Sequence, residues 1–224
     1  FDYDRFGSKE VVVRKARPEE EFTTLDGNRH VLDETVLLIT NGKEGVAAAG
    51  VMGGLESEVE EGTSTILLES AYFNPTVIRK SARKLGLTSE SSYRFERGMD
   101  PEGVIAAADR AAVMMAELAG GEVLSGIVDN YARKISPKKI ELRPERVKTI
   151  LGVDVPKDFM EKTLSGLGME IKSGEKLEIT APTFRPDLTR EIDLVEEIAR
   201  IFGLDNIPTS AQNKGPLYTP VHQR

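Results

Sequence analysis

The sequence changes character near Tyr131, and that change divides the chain into two modules. An Ala-rich stretch of helical character opens at Pro101, runs to about Ala119 and stops at Gly120-Gly121. Residues Arg133 to Lys148 then hold seven bases (Arg133, Lys134, Lys138, Lys139, Arg143, Arg146, Lys148) against Glu141 and Glu145. A boundary is expected around 132–137. It gives residues 1–132 as one module, 137–209 as a second and 210–224 as a linker or tail. A length of 224 residues accommodates this division, since domains run to about 100–200 residues.

The first module opens with strands. Val11–Val13 and Val36–Ile39 are short β-branched runs, and Asp26-Gly27 between them is a hairpin turn signal. Gly45 to Gly54 is small and apolar, and Gly50, Gly53 and Gly54 let backbone approach another surface closely. Glu56 to Glu61 is an acidic, solvated stretch. Ile66-Leu67-Leu68 is a buried-strand candidate that stops at Glu69. A helix follows, with Asn74 as N-cap, Pro75 in its first position and Gly86 as its C-terminal cap. Leu87 to Asp100 reads as polar and irregular. The second module offers a strand at Lys139–Leu142 and helices from Pro144 to Leu151 and from Pro156 to about Leu167. Short strands at 170–172 and 177–179 follow, then a helix from about Leu188 to Phe202. That order predicts an α+β chain: a mixed sheet-plus-helix domain, then a small winged-helix-like domain.

Composition excludes several chemistries. Cysteine is absent, so disulfides, thiolate metal sites and thiol nucleophiles are ruled out. His30 and His222 are the only histidines, so a Ser-His-Asp triad must use one of them. Lys and Arg number 30 and Asp and Glu 37, a formal charge of −7 that argues against a dedicated nucleic-acid module. No apolar run approaches the roughly 20 residues of a membrane span, and no signal peptide precedes the first strand, so a cytoplasmic location fits. The chain opens on Phe1 without methionine, which predicts a piece of a longer protein.

Four constellations are candidates for function. Asp193, Glu196 and Glu197 are spaced i, i+3 and i+4 on one helical side, with Asp187 just before. They read either as oxygen ligands for Mg²⁺ or as a solvated face softened by Arg190 and Arg200, with Asp187 as N-cap. Glu69 reads as a recognition carboxylate in a pocket or as an exposed strand-end charge. Ser89, Ser91 and Ser92 read as substrate- or water-positioning hydroxyls, or as a polar loop capping the long helix. Arg79, Lys80, Arg83 and Lys84, with Arg94 and Arg97, make a basic face that is either turned to phosphates or simply solvated.

Several stretches together resemble one family: Phe1-Asp2-Tyr3-Asp4, GVMGG at 50–54, LLESAYFNP at 67–75, SESSYRFERGMDP at 89–101 and RPDLTREIDLVEEIARIFGLDNIP at 185–208. Their words, order and spacing are similar to the β-subunit of bacterial phenylalanyl-tRNA synthetase. Residues 1 to about 132 resemble its B3/B4 editing domain, part of which would lie upstream of Phe1, and residues from about 137 to 209 its B5 domain. The resemblance implies hydrolysis of Tyr wrongly esterified to tRNA-Phe. An apolar pocket rejects an added hydroxyl only by about a hundredfold, so a second, hydrolytic site is required. It implies Glu69 as the partner of the Tyr phenol and Gly50, Gly53 and Gly54 as the pocket wall. Ser89 and Ser91 stand where relatives often have Thr and Ala. The family's pocket histidine immediately precedes the Phe-Asp motif, a position taken by neither His30 nor His222. Asp187, Asp193, Glu196 and Glu197 fall on the family's Mg²⁺-ligand positions, an ion linked to the α-subunit. The partners implied are tRNA-Phe and that α-subunit, in a heterotetramer of two α- and two β-subunits. ATP is used only at the α-subunit's synthetic site, whose motifs this chain lacks. A non-catalytic tRNA-binding or scaffold module is the alternative.

Overall fold

A computed structural model describes residues 1–208; His222 and the expected tail at 210–224 lie outside the described residues. The chain separates into two compact units, Phe1–Ile135 and Ser136–Arg224. Both combine antiparallel sheet with helices, so the architecture is α+β.

The first unit begins with a one-turn helix α1 (Tyr3–Phe6), whose cap Asp2 accepts from the Asp4 and Arg5 backbone N–H groups. Six strands follow: β1 (Val12–Lys15), β2 (Glu21–Thr23), β3 (Arg29–Val31), β4 (Leu37–Thr40), β5 (Gly45–Ala48) and β6 (Met52–Gly53). Strands β1-β4-β5-β6 form one antiparallel sheet, and β2 and β3 form a separate hairpin. That hairpin turns at Asp26-Gly27, with Gly27 at φ 79°, the positive φ that Asp-Gly predicts. The central strands are buried on both faces, so Leu38, Ile39, Val46, Ala47 and Ala48 form a continuous apolar layer.

Helix α2 (Pro75–Leu85) packs on that layer and is capped as its sequence predicts. Asn74 accepts from the Thr76 and Val77 N–H groups, Pro75 opens the helix, and Gly86 closes it at φ 67°. Ile78, Ser81, Ala82 and Leu85, spaced i, i+3, i+4 and i+7, are buried. Burial of Ile78 contributes about 2 kcal/mol. Helix α3 (Glu90–Phe95) and helix α4 (Val104–Ala119) complete the unit, the latter entered through a 3₁₀ turn at Pro101–Gly103 and left at Gly120. None of the α4 side chains is buried.

Two expectations need correction here. Ile66-Leu67-Leu68 is not a buried strand. Its backbone pairs with the start of the chain instead: Leu67 N–H donates to Phe1 O at 2.9 Å, and Ile66 makes only an isolated bridge with Asp2. Ile66 itself is 47% exposed. The 87–100 stretch is not irregular either. Ser89 accepts from Ser92 N–H while Ser92 Oγ bonds back to the Ser89 backbone, a capping box that starts α3. Ser89 therefore caps this short helix and not the long one.

The second unit runs β7 (Lys138–Leu142), α5 (Pro144–Leu151), α6 (Lys157–Gly166), β8 (Glu170–Lys172), β9 (Leu177–Ala181) and α7 (Glu191–Phe202). The sheet order is β7-β9-β8, all antiparallel. Ile140 faces Ile179 and Leu142 faces Leu177 across the ladder, so alternation turns all four into the core. Leu194, Val195, Ile198 and Ala199 of α7 close that core. Helix α7 starts at Glu191 and not at Leu188, because Asp193 accepts from the Thr189 and Arg190 N–H groups at 2.9 and 2.8 Å. Asp187 is thus not the N-cap. Arg143 fixes the same end of α7 through a two-pronged contact with Glu191 at 3.0 and 2.6 Å. Among the described residues no helix is long and apolar enough to cross a membrane.

Candidate functional site

In the first unit the β5–β6 turn, the 69–73 segment, α3 and the start of α4 enclose a cavity of about 650 Å³. Glu69, Gly50, Gly53, Ser89 and Ser91 all line it. The structure therefore gathers five of the six pocket candidates. Gly54 is not among them: a Cβ there would meet Val46 O at 2.8 Å and Phe22 at 3.0 Å, so its smallness serves strand packing.

Gly50 is required for two reasons. Its φ of +64° suits glycine, and a Cβ would lie 3.0 to 3.2 Å from Phe73, Ile78 and Phe95. At Gly53 a Cβ would meet Leu25 at 3.0 Å. The Phe73 and Phe95 rings, 5.1 Å apart and tilted by 58°, supply an apolar wall. Neither ring was singled out from sequence. Phe73 lies in the segment before α2 and Phe95 ends α3, and only the fold reveals their pairing.

The serines are clasps. Ser89 Oγ donates to Val51 O at 2.6 Å and accepts from Ser92 N–H at 3.0 Å. Ser91 Oγ donates to Gly50 O at 3.1 Å. Together they pin α3 to the glycine turn and fix the width of the cavity. Ser70 Oγ donates to Val104 O at 2.8 Å and ties the Glu69 segment to α4. His30 lies elsewhere, with Nε2 3.2 Å from Thr24 Oγ1 on the hairpin, so it completes no triad with these serines.

Glu69 differs from its surroundings. It has no hydrogen-bond or ion-pair partner among the described residues, and the residue as a whole is exposed, as the strand-end alternative expected. Protein crowded around its carboxyl desolvates it and pushes its pKa up. An acid in that state gains most from a ligand that donates a hydrogen bond to it.

The acidic node of the second unit is arranged in the opposite way. Arg185 reaches Asp187 at 3.0 and 2.6 Å and Glu197 at 2.7 Å. Arg200 holds the other Glu197 oxygen at 2.6 Å, and Arg190 meets Asp193 at 3.2 Å. The Arg185 hydrogen bond lowers the Asp187 pKa. At Glu197 desolvation pushes up, but the Arg200 and Arg185 contacts outweigh it and leave the pKa lowered. Glu196 points to solvent. Among the described residues no three carboxylate or imidazole side chains are gathered to hold a metal ion. As arranged, these four residues do not fit a Mg²⁺ cage, because arginines already occupy three of their carboxylates.

Comparison with known proteins follows the same division. The B3/4 domain family matches residues 1–120, and the tRNA synthetase B5 domain matches residues 140–204. The pair defines a component of an aminoacyl-tRNA synthetase. A protein of Moorella thermoacetica named phenylalanine–tRNA ligase beta subunit is 50% identical over 210 residues, covering 94% of this chain and 26% of that one. Relatives of the same name from Bacillus licheniformis and Salinibacter ruber are 49% identical over 211 residues and 46% over 221, covering 94% and 98% of this chain and 26% and 27% of theirs. The chain belongs to the phenylalanine–tRNA ligase beta-subunit family, and it spans about a quarter of the length of these relatives (26% of the first).

Proposed function

We propose that the first unit is an editing site that hydrolyses Tyr wrongly esterified to tRNA-Phe, and that Glu69 reads the phenol. The observation that carries this is the unpartnered Glu69 carboxylate beside an apolar cavity of about 650 Å³. Phe73 and Phe95 would cover the aromatic ring of the amino acid, and Gly50 and Gly53 leave room for it. A Tyr hydroxyl donates to Glu69. Phe strips water from the same carboxylate and returns nothing, at a cost of about 1–3 kcal/mol. The ester is already activated, so a positioned water suffices and no covalent nucleophile is needed.

The second unit is proposed to support contact with the α-subunit and tRNA-Phe. A non-catalytic tRNA-binding module is the second reading. It is favoured by the serine hydroxyls, which are spent on the Val51 and Gly50 carbonyls and not free for a water.

Deacylation of Tyr-tRNA-Phe and Phe-tRNA-Phe by the full-length β-subunit with its α-partner decides between them. Glu69→Ala should remove most of the Tyr-over-Phe preference. An unchanged rate and preference would overturn the Glu69 assignment, and no deacylation by the wild type would favour the binding module.

A further inference from the structure

One group of cations lies outside the Glu69 cavity and is little engaged among the described residues. Helices α2 and α3 flank a second cleft, of about 410 Å³, lined by Arg79, Arg83, Thr88, Ser92, Tyr93 and Glu96 among others. Arg79 and Arg83 are one helical turn apart, so both project to the same side of α2. Arg83 and the neighbouring Lys80 have no ion-pair partner among the described residues. Arg79 makes a single contact, to the Glu96 backbone carbonyl at 3.3 Å. The carboxylate of the cleft, Glu96, is neutralised by Arg97 at 3.0 Å. That guanidinium also lies 3.4 Å from the centre of the Tyr93 ring. Lys84, by contrast, is engaged with Asp33 at 2.9 Å. A cleft of net positive charge thus stands in a chain whose formal charge is −7. Local potential of this kind, not net charge, selects an anionic ligand.

The position of the cleft says which anion. Helix α3 is a wall shared by both concavities: Ser89, Ser91 and Phe95 border the Glu69 cavity, and Ser92, Tyr93 and Glu96 border the cleft. One helix, about 10 Å across, separates them. We propose that the Arg79–Arg83 cleft binds the phosphodiester backbone of the RNA strand whose 3′ end enters the Glu69 cavity. This rests on the editing reading above, which supplies that strand. Guanidinium groups match phosphate oxygens in geometry and keep their charge at any working pH. Contacts of this kind position a strand without reading its sequence. The cleft would therefore hold the strand while Glu69 judges the amino acid.

The test is fluorescence anisotropy of a labelled, uncharged tRNA-Phe transcript with the full chain over a range of salt concentrations. Removing one phosphate contact lowers the slope of log affinity against log salt by about 1. Arg83→Gln should do so, Arg79→Gln with Arg83→Gln should lower it by about 2, and Arg83→Lys should restore most of it. Lys9→Gln with Lys43→Gln, two exposed charges outside the cleft, should leave the slope within error of the wild type. An unchanged slope in the Arg79/Arg83 variant, or an equal loss from the Lys9/Lys43 pair, would overturn the proposal. Because the RNA carries no amino acid, the result is independent of hydrolysis. A lowered Arg83→Gln slope beside no deacylation of Tyr-tRNA-Phe by the wild type would keep the cleft and remove the editing reading. The reverse pattern would do the opposite.

Discussion

Glu69 and Glu197 are both crowded by protein, and the chain resolves that crowding in opposite ways. Glu197, with 12% of its side chain exposed, is gripped by Arg185 and Arg200, and its pKa falls. Glu69 lines a cavity with no hydrogen-bond or ion-pair partner among the described residues, and desolvation pushes its pKa up. The first carboxylate is finished by the fold; the second awaits a donor from outside. Spacing alone pointed to the acid-rich helix as a possible metal centre, whereas geometry makes the lone glutamate the more receptive group. Clustered acids with arginines in reach make a structural joint, whereas a lone acid beside an apolar cavity is left open to a donor from a ligand.

The contrast can be broken in four places. The largest expected effect is at Arg185. Arg185→Met removes the cation from Asp187 and half of the support of Glu197, and should destabilise the second unit by about 2–3 kcal/mol in urea unfolding. Arg185→Lys should recover only part, because one ammonium cannot serve two carboxylates with the same geometry. A neutral Arg185→Met would show that the node is not a joint. Next is Gly50→Ala, which places a Cβ against three core side chains at a left-handed φ. It should cost about 1–2 kcal/mol and abolish amino-acid binding in the cavity, both readable by thermal unfolding with and without ligand.

Glu69→Gln should have a smaller effect, of opposite sign. The folded pKa of Glu69 is raised, so its stabilising contribution is present below the unfolded value and is lost as pH rises through the folded one. The amide cannot ionise, so the variant should melt higher than wild type at neutral pH. The gap should close below the ordinary Glu value of about 4.3. A variant that melts lower at neutral pH would mean that Glu69 has a partner in the fold. The smallest effect is at Asp33, where the Thr35 hydroxyl, then Lys84, hold the carboxyl down to about 2. Its stabilisation is present above the unfolded pKa of about 3.9 and disappears as pH falls toward 2. Asp33→Asn should lower stability slightly at neutral pH, flatten that part of the acid-unfolding curve and match the wild type as pH approaches 2.

Local rules carried much of the fold and stopped where distant residues meet. The Asn74–Pro75–Gly86 punctuation and the strands expected at 170–172 and 177–179 are read from neighbours in sequence; the first two stand as expected and the last runs on to Ala181. Ile66–Leu68 had the composition of a buried strand, but Leu67 bonds to Phe1 and Ile66 bridges to Asp2, more than 60 positions away. Ser89, Ser91 and Ser92 read as positioning hydroxyls or a loop capping the long helix, because a Ser-to-Ser capping box within a polar stretch is a weak signal until its short helix is seen. Asp187 stood where an N-cap would, but Asp193 took that work from inside the helix. At the cavity, glycines and Glu69 were legible as types. The phenylalanine wall joins residues 22 positions apart that only the fold brings together, and the exclusion of Gly54 depends on which strand face turns inward, for which a two-residue strand such as β6 gives too little alternation.

The central claim is that Glu69 distinguishes a phenol from a bare ring. Its most direct test is calorimetric titration of the full-length β-subunit, with its α-partner, by non-hydrolysable 3′-tyrosyl-amide and 3′-phenylalanyl-amide adenosines. The account predicts that the wild type favours the tyrosyl compound by about tenfold or more, and that Glu69→Ala binds both alike. Equal affinities in the wild type, or a preference that survives Glu69→Ala, would contradict it.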